Sequence, residues 1–309
     1  MQTKEFQRYL SQADKLTPTQ QKILKDKIKK RCNIQTVENL FNQIDSCPHC
    51  KSKKLYKWGI NAGIQRYKCT SCNKTFNALT NTPLSHLRCK EQWNEFAKDL
   101  INGRSVRYSA KRCHVNKSTS FRWRHRFLET ISNMKSDLHG IVEVDETFFL
   151  ESKKGSYYLK REARKRGSKA TRRGLSIEQI PVLIARDRNG NMSDAVLKKA
   201  NEKALIQSLL PILDKDVLLC SDGNNIYKAF TKHFHFEHKS INVSKHQYTN
   251  GAYHIQNVNA YDSRLKSWIQ KFHGVATKYL EHYLGWMRML DTNHDLSSTK
   301  LLQMATLRI

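Results

Sequence analysis

Two aspartates, Asp145 and Asp222, stand where an unpaired acid is costly. Asp145 lies inside the β-branched and aromatic run GIVEVDETFFLES, and Asp222 follows the apolar run DVLLC as part of SDGN. Burying a charged carboxylate costs several kcal/mol unless it is paired or bound to a metal. Two strand-borne aspartates can converge on a divalent cation. For Asp222 the alternative is a plain turn residue, because Asp-Gly is a common turn pair.

A third polar segment, HIQNVNAYDSRLKSWIQKF, carries apolar residues at helical spacing. Asn259 and Lys266 are seven residues apart, which is two helical turns, so they share a face. Asn259 follows Asp222 after 36 intervening residues. Two aspartates, a later ligand on a helix and a lysine two turns beyond it form an arrangement for metal-dependent phosphoryl transfer. Asn257 and Asp262 remain alternative ligands at this stage.

Four cysteines form two C-x-x-C pairs. Cys47 and Cys50 are separated by 18 residues from Cys69 and Cys72. Each pair turns tightly enough to direct two thiolates at one ion, so the spacing predicts a tetrahedral four-cysteine zinc site. His49, inside the first pair, is a weaker alternative ligand. A ribbon over residues 46–80 cannot build a large core, so we expect the metal to hold its fold.

Residues 85–135 predict a helix-turn-helix, with Gly103 ending its first helix. In the third helix Trp123 and Phe127 lie four residues apart and should face the core. Four basic residues then remain for the other faces: Lys117, Arg122, Arg124 and Arg126. This is the pattern of a basic recognition helix. The alternative is an ordinary amphipathic helix with solvated arginines.

Residues 153–173 contain ten lysines and arginines against one acid, Glu162. Such a run is most often a solvated loop. Because it follows the Asp145 strand, we favour an arm that contacts DNA phosphates. The residues proposed for these contacts are Arg164, Lys165, Arg166, Arg172 and Arg173.

The formal net charge of +28 favours a polyanionic partner, and nucleic acid is the usual one. The sequence has no run of eighteen apolar residues, so no membrane span is expected. Its first residues, MQTKEFQRYLSQADK, lack an apolar signal core, which predicts a cytoplasmic protein. Eight cysteines in that compartment indicate thiols or metal ligands rather than disulfides.

The chain resembles the DDE-type insertion-sequence transposases that have an amino-terminal zinc ribbon and a transposase domain of the ISXO-two kind (the IS fifteen-ninety-five group). The motifs that carry the resemblance are CPHC…CTSC, VDET, SDGN, HIQNVNAYDSRLK and GVATKYLEHYLGW, within about residues 46–290. Together these motifs are specific, although each alone is weak. In relatives the third catalytic position is glutamate or asparagine, and here it falls on Asn259, with the lysine position on Lys266.

The resemblance implies a DNA transposase. Asp145, Asp222 and Asn259 would hold two Mg²⁺ or Mn²⁺ ions for DNA cleavage and strand transfer, and Lys266 would bind a phosphate near the element's end. The ribbon and helix-turn-helix would recognise terminal inverted repeats in double-stranded DNA. Joining two ends requires a homodimer or a larger assembly. The setting implied is the bacterial nucleoid.

The fold expected is multidomain α+β. It comprises a helical segment (1–45), the zinc ribbon (46–80), the helix-turn-helix (85–135), a ribonuclease-H-like domain with a mixed five-stranded sheet and helices on both faces (140–290), and a tail (291–309). Two other functions stay open. One is a non-catalytic zinc-ribbon DNA-binding protein or transposase relic, and the other is a structure-selective nuclease.

Overall fold

The computed structural model describes residues 3–41, 44–61, 63–159, 162–164, 167, 170–171, 176–241 and 249–307. The chain divides into two compact units. Unit 1 comprises Met1–Phe127 and Leu296–Ile309, and unit 2 comprises Leu128–Asp295. Within the described ranges, no helix is both long and apolar enough to cross a membrane.

Unit 1 contains a small antiparallel sheet. Its strands are β1 (Leu55–Asn61), β2 (Ile64–Cys69) and β3 (Thr75–Asn77), in the order β1-β2-β3. On one face Tyr67 stacks on Phe76 at 6.0 Å between ring centroids. These rings pack against buried Cys47 and Cys69. The core of this sheet is therefore small and centred on the cysteines.

The rest of unit 1 is helical. Thr17 and Gln20 form a reciprocal capping box at the start of the second helix, as expected for a threonine followed by proline. The C-terminal helix buries Leu301, Leu302 and Ala305 and packs against the second and third helices. The helices are α1 (Thr3–Ala13), α2 (Pro18–Phe41), α3 (Trp93–Ile101), α4 (Val106–Arg112), α5 (Lys117–Asn133) and α10 (Ser298–Ala305).

The aromatic core between α3 and α5 contains the two residues expected there. Trp123 and Phe127 are fully buried and meet Phe96 edge-on at 5.3 and 5.2 Å. The prediction that Arg124 lies on an outer face is wrong, because its side chain is only 1% exposed. Its guanidinium donates to the Arg104 carbonyl at 2.6 Å, and this contact offsets part of the cost of burial.

Unit 2 is built on a mixed five-stranded sheet, as predicted. Its order is β6-β5-β4-β7-β8, with β4, β5 and β6 antiparallel and β4, β7 and β8 parallel. The strands are β4 (Ile141–Leu150), β5 (Gln179–Asp187), β6 (Met192–Val196), β7 (Leu218–Ser221) and β8 (Glu237–Ser240). Two further short strands, β9 (Thr249–Asn250) and β10 (Tyr253–His254), pair with each other.

Helices cover both faces of this sheet. Val142 and Val144 of β4 point into a core with Leu205, Tyr227 and Phe230 from the helices α6 (Glu202–Ser208) and α7 (Asn225–Phe234). Alternation along β4 turns the next residues to the opposite face. There the sheet packs against α8 (Gln256–Gln270) and α9 (Leu280–Thr292). Glu143 and Asp145, which alternate with Val142 and Val144, thus point to the face that α8 covers.

Candidate active site and metal centre

The strand register brings the two predicted aspartates together. Glu143 of β4 pairs with Cys220 of the parallel strand β7. Two residues further along these strands stand Asp145 and Asp222, on the same face of the sheet. Asp222 follows the last residue of β7, and its negative charge acts on Asp145, so the two acids lie near each other beyond the carboxyl end of β7.

The electrostatics of the site reflect this proximity. Burial, together with the negative charge of Asp222, raises the pKa of Asp145 to about 6. The negative charge of Asp262 adds to this increase, and the positive charge of Lys266 opposes it. Carboxylates held near each other resist ionising together, and a bound cation would relieve that repulsion.

Local hydrogen bonds fix both aspartates. Asp145 Oδ1 accepts from the Glu146 backbone N–H at 2.9 Å, and Asp222 Oδ1 accepts from the Asn224 N–H at 2.9 Å. Between Asp222 and Asn224, Gly223 has φ +86°, and a Cβ there would collide with Ser240 Oγ. Glycine is therefore favoured immediately after Asp222, because φ +86° strains any other residue and the Ser240 hydroxyl would have to rotate away from a Cβ.

A buried glutamate attaches α8 to β4. Glu143 is fully buried, and its carboxylate accepts the backbone N–H groups of Asn257 at 2.8 Å and Val258 at 3.2 Å. The Asn257 side chain also donates to it at 2.7 Å. The first N–H groups of a helix have no partner within the helix and attract negative charge. Glu143, which stands two residues before Asp145 on β4, thus holds the start of α8 in place.

Two cationic or polarisable groups surround the same carboxylate. Arg188 Nη1 lies 2.9 Å from Glu143 Oε1, and His254 Nδ1 lies 3.4 Å from it. Arg188 also contacts His254 Nε2 at 2.6 Å and donates to the Ala252 carbonyl at 3.1 Å. The buried carboxylate of Glu143 therefore has an ion-pair partner as well as helix N–H donors, and these contacts offset the cost of its burial.

The helix α8 presents polar side chains to the aspartates. Lys266 Nζ pairs with Asp262 Oδ2 at 2.7 Å, one turn apart on the helix. Both act electrostatically on Asp145. Asn259 lies three residues before Asp262, so helical geometry puts it on the adjoining part of the same face, and it is exposed. The expected apolar stripe of α8 is buried on the other side: Val258, Leu265, Trp268 and Ile269.

The three candidate ligands on α8 have different environments. Asn257 uses its side chain to bind Glu143, so it serves the attachment of the helix. Among the described residues, no group donates a hydrogen bond to the buried Asp262 Oδ1. Asn259 is engaged through its backbone, since its carbonyl accepts from Ser263 Oγ at 3.0 Å. Asn259 and Asp262 are therefore the two side chains of this set that remain available to a cation.

A second acid lies beside the pair, on the opposite face of β4. Burial raises the pKa of Glu146 to about 7, with the charges of Asp145 and Asp222 adding to it and the Tyr227 hydroxyl opposing it. Burial likewise raises the pKa of Tyr227 well above its usual value. Glu146 is thus a partly buried acid beside the aspartates whose pKa is raised towards neutrality.

The four predicted cysteines converge in unit 1. Their sulfur atoms all lie within 4.8 Å of one another. Cys47 Sγ is 3.7 Å from Cys72 Sγ, and Cys50 Sγ is 3.6 Å from Cys69 Sγ. Zn–S bonds of about 2.3 Å in a tetrahedron give sulfur separations of about 3.8 Å. The cluster therefore has the size and donor chemistry of a four-thiolate zinc site.

Replacing one of these cysteines should release the metal. We expect about one zinc per chain in the wild type, less in Cys69→Ser, and loss of ribbon structure, because such small folds depend on their metal. Cys113→Ser, at a buried cysteine outside the cluster, is the control. Plasma emission spectrometry of the purified proteins measures the zinc. Full occupancy in a Cys47→Ser/Cys69→Ser double variant would refute the assignment.

The basic residues predicted for DNA contact differ in accessibility. Lys117 and Arg122 are exposed, whereas Arg126 is half-buried and donates to the Ser85 carbonyl at 3.5 Å. Arg164 is paired with Glu178 at 3.2 Å and donates to a main-chain carbonyl at 2.6 Å. Its guanidinium is thus already engaged, contrary to a free phosphate contact. Four further residues lie outside the described residues: Lys165, Arg166, Arg172 and Arg173.

Sequence reasoning gave no role to Glu143, Glu146, Arg188 or Tyr227. A signal existed for Glu143, because alternation puts it on the Asp145 face of a strand that is otherwise apolar. Arg188 follows a strand and precedes an Asn-Gly turn, where a basic residue usually meets solvent. Its pairing with a buried acid depends on the tertiary fold and leaves no local pattern.

Two solved structures of the Mos1 transposase were found in a comparison of folds. A pre-cleavage Mos1 transpososome matches over 63% of this chain and 74% of that one, with 14% identity and a TM-score of 0.26. A Mos1 transposase paired-end complex with the left transposon end matches over 65% and 76%, with 14% identity and a TM-score of 0.23. TM-scores this low carry no argument about the site.

Sequence comparisons are more informative. The chain is 26% identical over 242 residues to an uncharacterized protein in transposable element ISH50 of Halobacterium salinarum, covering 77% of this chain and 82% of that protein. Residues 137–288, which contain Asp145, Asp222, Asn259 and Lys266, match the family model of the ISXO2-like transposase domain. The resemblance to a transposase with an ISXO2-like domain is thereby confirmed over residues 137–288, which match the model of that family.

Proposed function

We propose that the chain is an insertion-sequence transposase that cleaves and joins DNA at a site formed by Asp145, Asp222 and Asn259. The observation that carries the proposal is the register of β4 and β7, which ends at Glu143 and Cys220 and leaves Asp145 and Asp222 two residues beyond. The two acids are close enough for the charge of Asp222 to act on Asp145, and α8 offers further oxygen ligands nearby. The mixed five-stranded sheet is the one that a ribonuclease-H-like domain requires. The family of residues 137–288 makes DNA the expected substrate.

The donor set fits divalent Mg²⁺ or Mn²⁺. Carboxylate and amide oxygens are the ligands these hard cations favour, and Asp145 and Asp222 offer two carboxylates. Burial and the charge of Asp222 raise the pKa of Asp145, and a cation bound between the two carboxylates would favour their ionised forms. When bound, two such ions supply charge neutralisation and activation of the attacking oxygen. Asp145, Asp222 and Asn259 would hold them.

The remaining residues of the site orient the DNA. Lys266 carries a point charge suited to a phosphate, and its partner Asp262 keeps it beside Asp145 in the free protein. A DNA phosphate could take the place of Asp262 as the partner of Lys266. Asn259 supplies a neutral carbonyl oxygen, so it coordinates without adding charge.

Recognition of the element's ends is assigned to unit 1. The zinc ribbon over 46–80 and the helix-turn-helix over 85–135 would bind terminal inverted repeats, with Lys117 and Arg122 as exposed contacts. The net charge of +28 supports a polyanionic partner. Two ends must meet in one reaction, so we propose a homodimer or larger assembly on DNA.

One set of reactions distinguishes a transposase from the two alternatives, a transposase relic and a structure-selective nuclease. The purified protein is incubated with end-bearing or plain duplex DNA in Mg²⁺, and cleaved and joined products are resolved on gels. We expect cleavage and joining only with end-bearing DNA, and none with Asp145→Asn. Binding of ends without cleavage would indicate a transposase relic, and cleavage of branched DNA without joining would indicate a structure-selective nuclease.

A further inference from the structure

The outer face of the ribbon sheet exposes two aromatic side chains. Tyr56 and Trp58 of β1 are 39% and 46% exposed, with their rings edge-on at 5.7 Å between centroids. Tyr56 pairs with Lys68 and shares its face, and Trp58 lies on the same face, because the Lys68 ammonium stands over its ring. Alternation along β2 puts Arg66 on this face as well. The inner face, with Tyr67 and Phe76, packs on the cysteines. The outer aromatic pair is therefore not required by the core.

A β-bulge changes the face to which the next exposed apolar residue of β1, Ile60, belongs. The pairing changes from Lys57 with Tyr67 to Ile60 with Gln65, so one extra residue is inserted between them. Gly59, with φ +75°, lies in this bulge. As a result Ile60, although 73% exposed, belongs to the opposite face. Ile60 is thus a matched exposed residue on the same strand but outside the aromatic surface.

Positive charge surrounds the aromatic pair. Lys68 Nζ lies 4.8 Å from the centroid of the Trp58 ring. Residues 46–80 contain no acid, and their seven basic residues are Lys51, Lys53, Lys54, Lys57, Arg66, Lys68 and Lys74. Exposed aromatic rings within a cationic surface suit a partner that has both negative charge and flat apolar faces.

We propose that this aromatic-basic face, defined by Tyr56, Trp58, Arg66 and Lys68, binds single-stranded DNA by stacking unpaired bases on its rings. In a duplex the faces of the bases are covered by their neighbours, whereas in a single strand they are accessible. Stacking on aromatic side chains together with phosphate contacts is the general chemistry of single-strand binding. The surface is distinct from the proposed catalytic site and does not depend on cleavage activity.

The chain offers a direct optical readout. Trp58 is exposed, whereas the other four of the five tryptophans, at 93, 123, 268 and 286, are buried. We expect oligo(dT) to quench tryptophan emission of the zinc-loaded full-length protein more strongly than an equal length of blunt hairpin duplex. Trp58→Phe should keep the affinity, measured by anisotropy of labelled oligo(dT), and lose the quenching.

Substitutions test the energetic contribution. Trp58→Ala should weaken oligo(dT) binding roughly tenfold, because each stacked base contributes substantially. Lys68→Gln should reduce the salt slope by about 0.7, the value for one phosphate contact on a single strand. Ile60→Ala should leave both the affinity for oligo(dT) and the salt slope unchanged. Zinc content, measured for every variant, confirms that the ribbon is intact.

Four outcomes would overturn the proposal. Two concern the wild type: tryptophan emission that oligo(dT) does not quench, and tighter binding of oligo(rU) than of oligo(dT). Two concern Trp58→Ala: an equal loss of affinity for duplex and single strand, and a change of oligomeric state without a change in oligo(dT) affinity. The last would assign the face to contact with a second copy of the chain. Because none of these measurements uses DNA cleavage, failure of the catalytic proposal leaves their interpretation unchanged.

Discussion

Glu143→Ala should lower the free energy of unfolding by about 3–5 kcal/mol, the typical cost of removing one partner from a buried ion pair. The substitution leaves Arg188 without its carboxylate and removes the acceptor of the first N–H groups of α8. It also breaks the side-chain hydrogen bond of Asn257. Glu143→Gln keeps the size and one carbonyl acceptor, so its loss should be smaller.

Urea denaturation followed by circular dichroism measures this effect. The matched control is Glu237→Ala on β8, where the glutamate is 62% exposed and pairs with Lys239 at the surface. Exposed ion pairs contribute about 0–1 kcal/mol, so the control should unfold close to the wild type. A Glu143→Ala variant as stable as Glu237→Ala would show that α8 is held by its apolar face alone.

The sequence predicted the pair of aspartates because both stand in short-range patterns. Asp145 interrupts an apolar strand and Asp222 ends one, and parallel pairing of those strands aligns them. Glu143, in contrast, is held by residues that lie far from it in the sequence. Its partners are Arg188, 45 positions later, and Asn257, 114 positions later. The role of Glu143 depends on where α8 docks, and no local periodicity encodes that position.

The helical part of unit 1 shows the limit of periodicity in another way. Spacing correctly identified Trp123 and Phe127 as buried, because apolar residues four apart share a helical face. The same reasoning predicted that Arg124 faces solvent, and this prediction is wrong. A buried arginine is tolerated where a main-chain carbonyl is within reach, and here the carbonyl of Arg104, 20 residues earlier, accepts its N–H. That acceptor comes from the turn before α4, so only the packed structure reveals it.

The choice of the third metal ligand combines the family resemblance of the sequence with the contacts seen in the structure. The family resemblance selects Asn259, and helical geometry puts Asn259 near the face that carries Lys266. Asp262 is an alternative on sequence grounds, and the structure shows two properties of it. Its charge adds to the effect of burial and of Asp222 in raising the pKa of Asp145, and its Oδ1 is buried without a hydrogen bond among the described residues. Asp262 is also the partner of Lys266 at 2.7 Å. In the proposed site, Asn259 coordinates the cation and Asp262 holds Lys266 until DNA arrives.

Asn259→Ala should reduce DNA cleavage and strand transfer in Mg²⁺ by more than about a hundredfold, beyond the 10–100-fold typical of residues that only orient metal ligands. End binding, measured by gel shift, should survive, since the residues proposed for end recognition lie in unit 1. Asn259→Asp keeps an oxygen ligand and should retain part of the activity. Lys266→Ala should weaken binding of the cleaved end more than the response to Mg²⁺ concentration.

The comparison that decides the ligand is Asn259→Ala against Asp262→Asn in the same Mg²⁺ titration. Asp262→Asn keeps the size of the side chain and removes the charge that pairs with Lys266, so it should change DNA affinity and leave the Mg²⁺ requirement close to wild type. Ser267→Ala, at an exposed position of the same helix, controls for the effect of altering α8. Near-normal strand transfer by Asn259→Ala, combined with a sharply raised Mg²⁺ requirement in Asp262→Asn, would transfer the ligand role to Asp262. In that case the free oxygen of Asp262, rather than the amide one turn earlier, would complete the site with Asp145 and Asp222.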